Sequence, residues 1–96
     1  MAIGFTILYQ STITQEDIPR IAETWREKVA SAIADKLTTY PDVYGKPLRR
    51  SLRGYRKLRV GDYRVIFRID AAVVKIFAIA HRSVVYKIME HRSRSV

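Results

Sequence analysis

The 96-residue chain has no cysteine, two histidines and only 9 Asp and Glu against 18 Lys and Arg. Without cysteine there is no disulfide framework, no thiolate zinc site and no cysteine nucleophile. His81 and His91 are too few for a metal cluster, so no metal and no other cofactor is expected. The longest unbroken apolar run, Ile76–Ala80, is far short of a membrane span. The N-terminus lacks the basic start, apolar stretch and small-residue cleavage site of a signal peptide. These absences leave a soluble, cytoplasmic protein with no membrane contact as the expectation.

The length supports one domain over residues 1–96. The net charge of +9 is unevenly spread: residues 1–44 hold 4 basic and 6 acidic side chains, residues 45–96 hold 14 basic and 3 acidic. The second half is therefore a surface for a polyanion or an acidic protein.

Ile3, Phe5, Ile7 and Tyr9 alternate with smaller or polar residues and predict a half-buried strand. Ile18, Ile21, Trp25, Val29, Ile33, Leu37 and Tyr40 then recur at three- and four-residue spacing, the stripe of an amphipathic helix. Glu16 and Asp17 suit the positive end of its dipole, and Pro19 predicts either a first turn or a break into two helices. Tyr40-Pro41 ends the helical region, and residues 41–54 read as a loop. Three strands follow, the last of them, Val73–Ala80, apolar on both faces as a central strand would be. Ser83 caps a short helix with Val84, Val85, Ile88 and Met89 on its apolar face, and the basic tail from His91 to Val96 reads as frayed. The fold class is α+β: an antiparallel-rich sheet of about four strands, N-terminal helices on one face and a short C-terminal helix.

Two alternating runs flank Gly61-Asp62, a tight hairpin turn. In that register Val60/Tyr63, Leu58/Val65 and Arg56/Phe67 share one face, mostly core. Arg59/Arg64, Lys57/Ile66, Tyr55/Arg68 and Arg53/Asp70 share the other. Arg59 opposite Arg64 is a like-charge pair that costs stability. A phosphate ligand explains it, because Arg binds phosphate bidentately and Lys adds a point charge. Solubilising charge with Arg stems over Ile66 is the plainer alternative. Trp25 and Tyr63 read as core, and Arg49, Arg50, Arg92 and Arg94 as solvated charge.

The run from Gly45-Lys46-Pro47-Leu48 through Leu52-Arg53-Gly54-Tyr55-Arg56-Lys57-Leu58-Arg59-Val60-Gly61-Asp62-Tyr63-Arg64-Val65-Ile66-Phe67 resembles the RelE/ParE toxin superfamily. So does Ala80-His81-Arg82-Ser83-Val84-Val85-Tyr86, and the likeness covers nearly the whole chain. It implies the toxin of a type II toxin–antitoxin pair, with the RelE-like branch favoured. RelE-type members cut mRNA on the ribosome by metal-independent attack of a ribose 2′-OH on the neighbouring phosphate. ParE-type members share the fold and inhibit DNA gyrase, and an inactive homologue that only binds antitoxin is a third outcome.

The resemblance implies roles residue by residue. Lys57 matches the family's sheet lysine, a charge stabiliser or base. Arg64 matches the strand arginine on the scissile phosphate. Arg82 matches a second phosphate contact and proton donor, and Tyr86 a tyrosine that stacks on or orients substrate. Tyr55 stands where the best-known RelE type carries a second lysine. His81 is the substitute titrating group, since imidazole is the side chain that titrates near neutrality, or else a strand-end histidine bonded to backbone. Arg53, Tyr55, Arg59 and Arg68 complete the expected RNA-binding surface. The expected partners are mRNA on the ribosome and a cognate antitoxin, acidic or with an amphipathic segment that covers the toxin.

Overall fold

The computed structural model describes residues 4–94. The first strand, β1 (Thr6–Tyr9), is shorter than the alternation suggests, and Ile3 lies outside the described residues. Helical backbone then runs over residues 11–20, as a wide π-type turn (Ile13–Asp17) that passes into α1 (Ile18–Arg20). The break comes at Ile21, whose φ of −72° and ψ of 133° are extended. Helix α2 (Glu23–Ala32) continues through a second wide turn, Ile33–Leu37. Pro19 thus sits inside α1, and the chain divides into two helices just after it.

Residues 41–54 are more structured than a loop. They form α3 (Pro41–Tyr44), the two-residue strand β2 (Lys46–Pro47) and a 3-10 turn, Arg50–Leu52. Strands β3 (Arg56–Val60), β4 (Tyr63–Asp70) and β5 (Val73–His81) follow, and α4 (Val85–Arg94) closes the chain. The frayed tail expected from His91 is therefore helical through Arg94, while residues 95–96 lie outside the described ones.

The sheet order is β1-β5-β4-β3-β2, with β1 parallel to β5 and every other pairing antiparallel. The expected antiparallel-rich sheet gains a fifth strand, because β2 pairs Lys46 with Lys57 and Pro47 with Arg56. The hairpin register matches expectation from Val60↔Tyr63 to Arg56↔Phe67. The pairing stops there, so Arg53 and Tyr55 lie before the strand and do not face Asp70 and Arg68.

The two faces of the sheet bury different cores. On one, Val65, Phe67, Val74, Ile76 and Ile79 pack against Ile13, Ile21, Val29, Ile33 and Leu37 of the N-terminal helices. On the other, Ile66 and Ala78 pack against Val85 and Met89 of α4 and against Leu52 and Tyr55. The small side chains at Ala78 and Ala80 let α4 lie close to the sheet. A bulge between Ile66 and Phe67 shifts the β4–β5 register midway along both strands. Among the described residues no helix is long and apolar enough to cross a membrane.

Candidate active site

The hairpin tip gathers the cationic side chains. Gly61 takes a φ of 58°, and a Cβ there would stand 2.2 Å from the Trp25 ring. The turn is thus clamped on α2 by an aromatic ring that only glycine admits. Trp25 in turn lies 5.8 Å from Tyr63, whose hydroxyl accepts the Ala22 N–H at 3.1 Å. Both aromatics are packing residues, as the sequence suggests, and together they anchor the end of the sheet that carries the charges.

Arg64, next to that turn, is 7% exposed. Its Nη1 donates to the carbonyls of Gly61 at 2.8 Å and Tyr63 at 2.9 Å. Among the described residues it has no carboxylate partner, so a nearly buried guanidinium is held only by neutral acceptors. Arg59 lies directly opposite it and is exposed. A buried cation normally pairs or forfeits stability. Two arginines face to face with no acid between them form a site short of one anion.

Arg82 joins from the end of β5. Its N–H donates to the Asp62 carbonyl at 2.8 Å, which draws the start of the α4 segment onto the hairpin turn. Its Nε stands 3.9 Å from the Asp62 carboxylate, with both side chains 63% exposed. An exposed pair at that distance holds well under about 1 kcal/mol and yields readily to an incoming phosphate. Lys57 and Tyr86 meet across the face, with Nζ 5.9 Å from the ring centroid. Tyr86 is exposed on the first turn of α4. The structure therefore brings Lys57, Arg59, Arg64, Arg82 and Tyr86 to one end of one sheet face.

The other expected residues fall elsewhere. His81 is paired with Tyr63 on the opposite face, its ring edge-on to that tyrosine at 5.9 Å. Its Nδ1 accepts the Ser83 N–H at 3.2 Å and lies 2.8 Å from Ser83 Oγ. His81 therefore sits as a backbone-bonded strand-end histidine, on the face away from Arg59 and Arg64. Tyr55 is 8% exposed, packed edge-on against Phe77 at 5.1 Å, so it is a core side chain and not a platform for a base. Arg68 stacks over Tyr55 and Phe77 at the far end of the face, and Arg53 is exposed just after the 3-10 turn.

One functional pair escaped the sequence reading. Asp17 is 3% exposed; its two oxygens accept from Arg92 at 2.6 and 2.8 Å, and one also accepts the Ile79 N–H at 2.8 Å. Arg92 further donates to the Phe77 carbonyl at 2.9 Å. Strand β1 ends opposite Ile76, so this pair satisfies the edge of β5 beyond it and ties α4 to the N-terminal helices. The Asp17 hydrogen bond raises the Arg92 pKa against the opposing pull of desolvation. Arg92 is thus a structural residue and not solvated charge. The available signal was phase: Asp17 stands between Ile13 and Ile21 at four-residue spacing, a charge on the apolar stripe. Among the described residues no group of three or more His, Cys, Asp or Glu side chains is placed to hold a metal ion.

Comparison with known proteins agrees with this geometry. The family described as the ParE toxin of type II toxin–antitoxin systems matches residues 8–86. The chain is similar to the toxin RelE of Mycobacterium tuberculosis, at 40% identity over 74 residues, covering 71% of this chain and 76% of that one. It is similar to the toxin RelG of the same organism, at 31% identity over 85 residues, covering 86% and 97%. Among solved structures it resembles a chain of the toxin–antitoxin complex RelBE2 from M. tuberculosis, with a TM-score of 0.77, 30% identity and coverage of 83% and 100%. YafQ from E. coli shares the fold, with a TM-score of 0.56 at 21% identity, covering 82% of this chain and 94% of that one.

Proposed function

Because the chain belongs to the ParE toxin family of type II toxin–antitoxin systems, we propose that its hairpin tip binds and cuts RNA as a RelE-like toxin does. The observation that carries the reading is Arg64, a nearly buried guanidinium with no carboxylate, facing Arg59 and flanked by Lys57 and Arg82. The reacting group is an RNA phosphate. The 2′-hydroxyl of the preceding ribose attacks phosphorus and loses its proton, the bond to the 5′-oxygen breaks and that oxygen takes a proton from water, and a 2′,3′-cyclic phosphate and a 5′-hydroxyl result. Arg64 and Arg82 hold the phosphate oxygens as negative charge builds on them, and Lys57 adds a third cation. Lys57 against the Tyr86 ring is a charge stabiliser, since a π-face favours the ammonium. Tyr86 offers its exposed ring to the neighbouring base. With His81 on the opposite face beside Tyr63, this chain accelerates the reaction through charge stabilisation and leaves the 2′-hydroxyl proton to solvent or to a group on the ribosome.

A cognate antitoxin is the partner that restrains it, a reading supported by the likeness to a chain of a toxin–antitoxin complex. Arg64→Ala is expected to lower the rate of RNA cutting about 10²- to 10³-fold, the loss typical of removing one charge-stabilising donor, and to relieve growth arrest. Arg82→Ala acts in the same direction. Undiminished toxicity in both folded variants overturns the assignment. The second reading, gyrase inhibition without cutting, is favoured by one observation: Tyr55, where a second lysine is expected, is core. Mapped mRNA ends after induction together with a supercoiling assay separate the two, since codon-spaced cuts support the first and blocked supercoiling over intact mRNA supports the second.

A further inference from the structure

The sheet face that carries the hairpin-tip cluster ends, at its other extreme, in a second basic cleft of about 370 Å³. Gln10, Thr12, Arg68, Lys75, Phe77, His91 and Arg92 line it, so it lies between the start of the helical segment, strands β4 and β5, and the last turn of α4. Arg68 and Lys75 are direct cross-strand partners. They are a second like-charge pair on the face that holds Arg59 and Arg64, and like charges set opposite one another cost stability unless something anionic lies between them.

The guanidinium of Arg68 is 5.6 Å from the Tyr55 ring centroid and 5.3 Å from that of Phe77. The two rings hold the Arg68 guanidinium at the surface by cation–π contact, and the side chain stays exposed, free to offer its donors to an anion. It makes no ion pair among the described residues. Lys75 is held by Asp70 at 3.0 Å, with that carboxylate 60% exposed and easily exchanged for a stronger anion. Gln10 and Thr12 add uncharged donors at the rim.

We propose that this cleft is a second phosphate site, which grips the backbone of a single-stranded RNA away from the reacting bond. The proposal rests on the RNA reading of the hairpin tip and names how the strand is held there. Four residues of β4 separate Arg64 from Arg68, about 13 Å at strand rise. Helix α4 spans nearly the same distance, about 15 Å for its ten residues. An RNA strand laid along α4 meets the tip, with Tyr86, at one end and this cleft at the other. Two phosphate contacts fix the line along which the strand lies, which a single cluster cannot do.

The test is equilibrium binding of a 2′-O-methyl RNA oligonucleotide, which has no attacking hydroxyl, to the purified toxin across a salt series. Arg68→Met keeps an apolar stem over the two rings, and Lys75→Gln removes the second charge. The double variant, with its fold checked by thermal melting, is expected to bind five- to twenty-fold more weakly and to lose about 1.4 from the slope of log K against log salt, two contacts at about 0.7 each. Unchanged affinity and slope in the folded double variant overturn the proposal. So does failure of the unaltered toxin to bind the oligonucleotide. Unchanged RNA affinity with weakened antitoxin binding also overturns it, and marks the cleft as a seat for acidic protein side chains. Because this RNA cannot be cut, a toxin that binds it through Arg68 and Lys75 yet cuts no RNA leaves the cleft standing and removes only the nuclease reading.

Discussion

The two ends of the second sheet face begin from the same pattern, a pair of cations set opposite each other across neighbouring strands, and arrive at different chemistry. At the hairpin tip, Arg64 is nearly buried, bonded to two carbonyls of its own turn and set opposite Arg59. At the other end, Arg68 is exposed, stacked on two rings, and Lys75 already has an acid partner. A desolvated charge acts strongly on whatever comes beside it, because little water screens the field. The tip therefore suits a transition state and the far cleft suits a resident phosphate. What separates them is α4, which plants Val85 and Met89 on Ile66 and Ala78 in the middle of the face.

The change expected to disturb this contrast most is Asp17→Asn. It leaves the Arg92 guanidinium without its acid at the edge of β5, costing about 3 kcal/mol, the low end for a broken buried pair because Arg92 keeps some solvent. The melting temperature is expected to fall by about 10 °C or more. Since Arg92 anchors the helix that divides the two ends, RNA affinity and cutting should both decline. A variant that melts like the parent shows that α4 is held by its apolar face alone.

Gly61→Ala is expected to cost about 2 kcal/mol, since alanine at a left-handed φ adds about 1–2 kcal/mol of strain and its Cβ drives into Trp25. The turn whose carbonyls hold Arg64 must then shift, so cutting should fall further than binding to the uncuttable RNA. Equal losses in both would mean that the tip and the far cleft do not differ in kind.

The smallest effect is expected from Asp70→Asn. The hydrogen bond and charge of Lys75 hold the Asp70 carboxyl below its ordinary range, with Arg68 adding to the pull. A lowered folded-state pKa means that the interaction contributes above the unfolded value and fades as pH drops through the folded one. Removing the charge at neutral pH frees Lys75, and RNA affinity should rise less than threefold with cutting at saturation unchanged. A fall in affinity would place Asp70 in the grip itself.

Much of the site was legible from local pattern. The Gly61-Asp62 turn sets a side-chain period of two, so the facing of Arg59, Arg64, Lys57 and Leu58 follows from turn position alone. The apolar run of β5 announced a strand covered on both faces, and β5 lies between β1 and β4. Three placements were not legible. Tyr55 has the chemistry of a stacking surface residue, and only the approach of Phe77 and Leu52 turns it inward. His81 has the chemistry of a base, and only its pairing with Tyr63 sets it on the face away from the cations. Arg92 looks like solvent charge until a residue 75 positions earlier meets it.

By itself the sequence determined the main strands and the helical stretches flanking them, the charge asymmetry and the hairpin register, because each depends on neighbours a few residues apart. The tertiary structure alone decided that one basic face is divided into two clusters of cations. That outcome depends on where α4 lands, and α4 is placed by long-range contacts: two apolar side chains in the sheet and one buried ion pair to Asp17. Local periodicity carries no information about such contacts, since their energy comes from surfaces that meet only when the whole chain has closed.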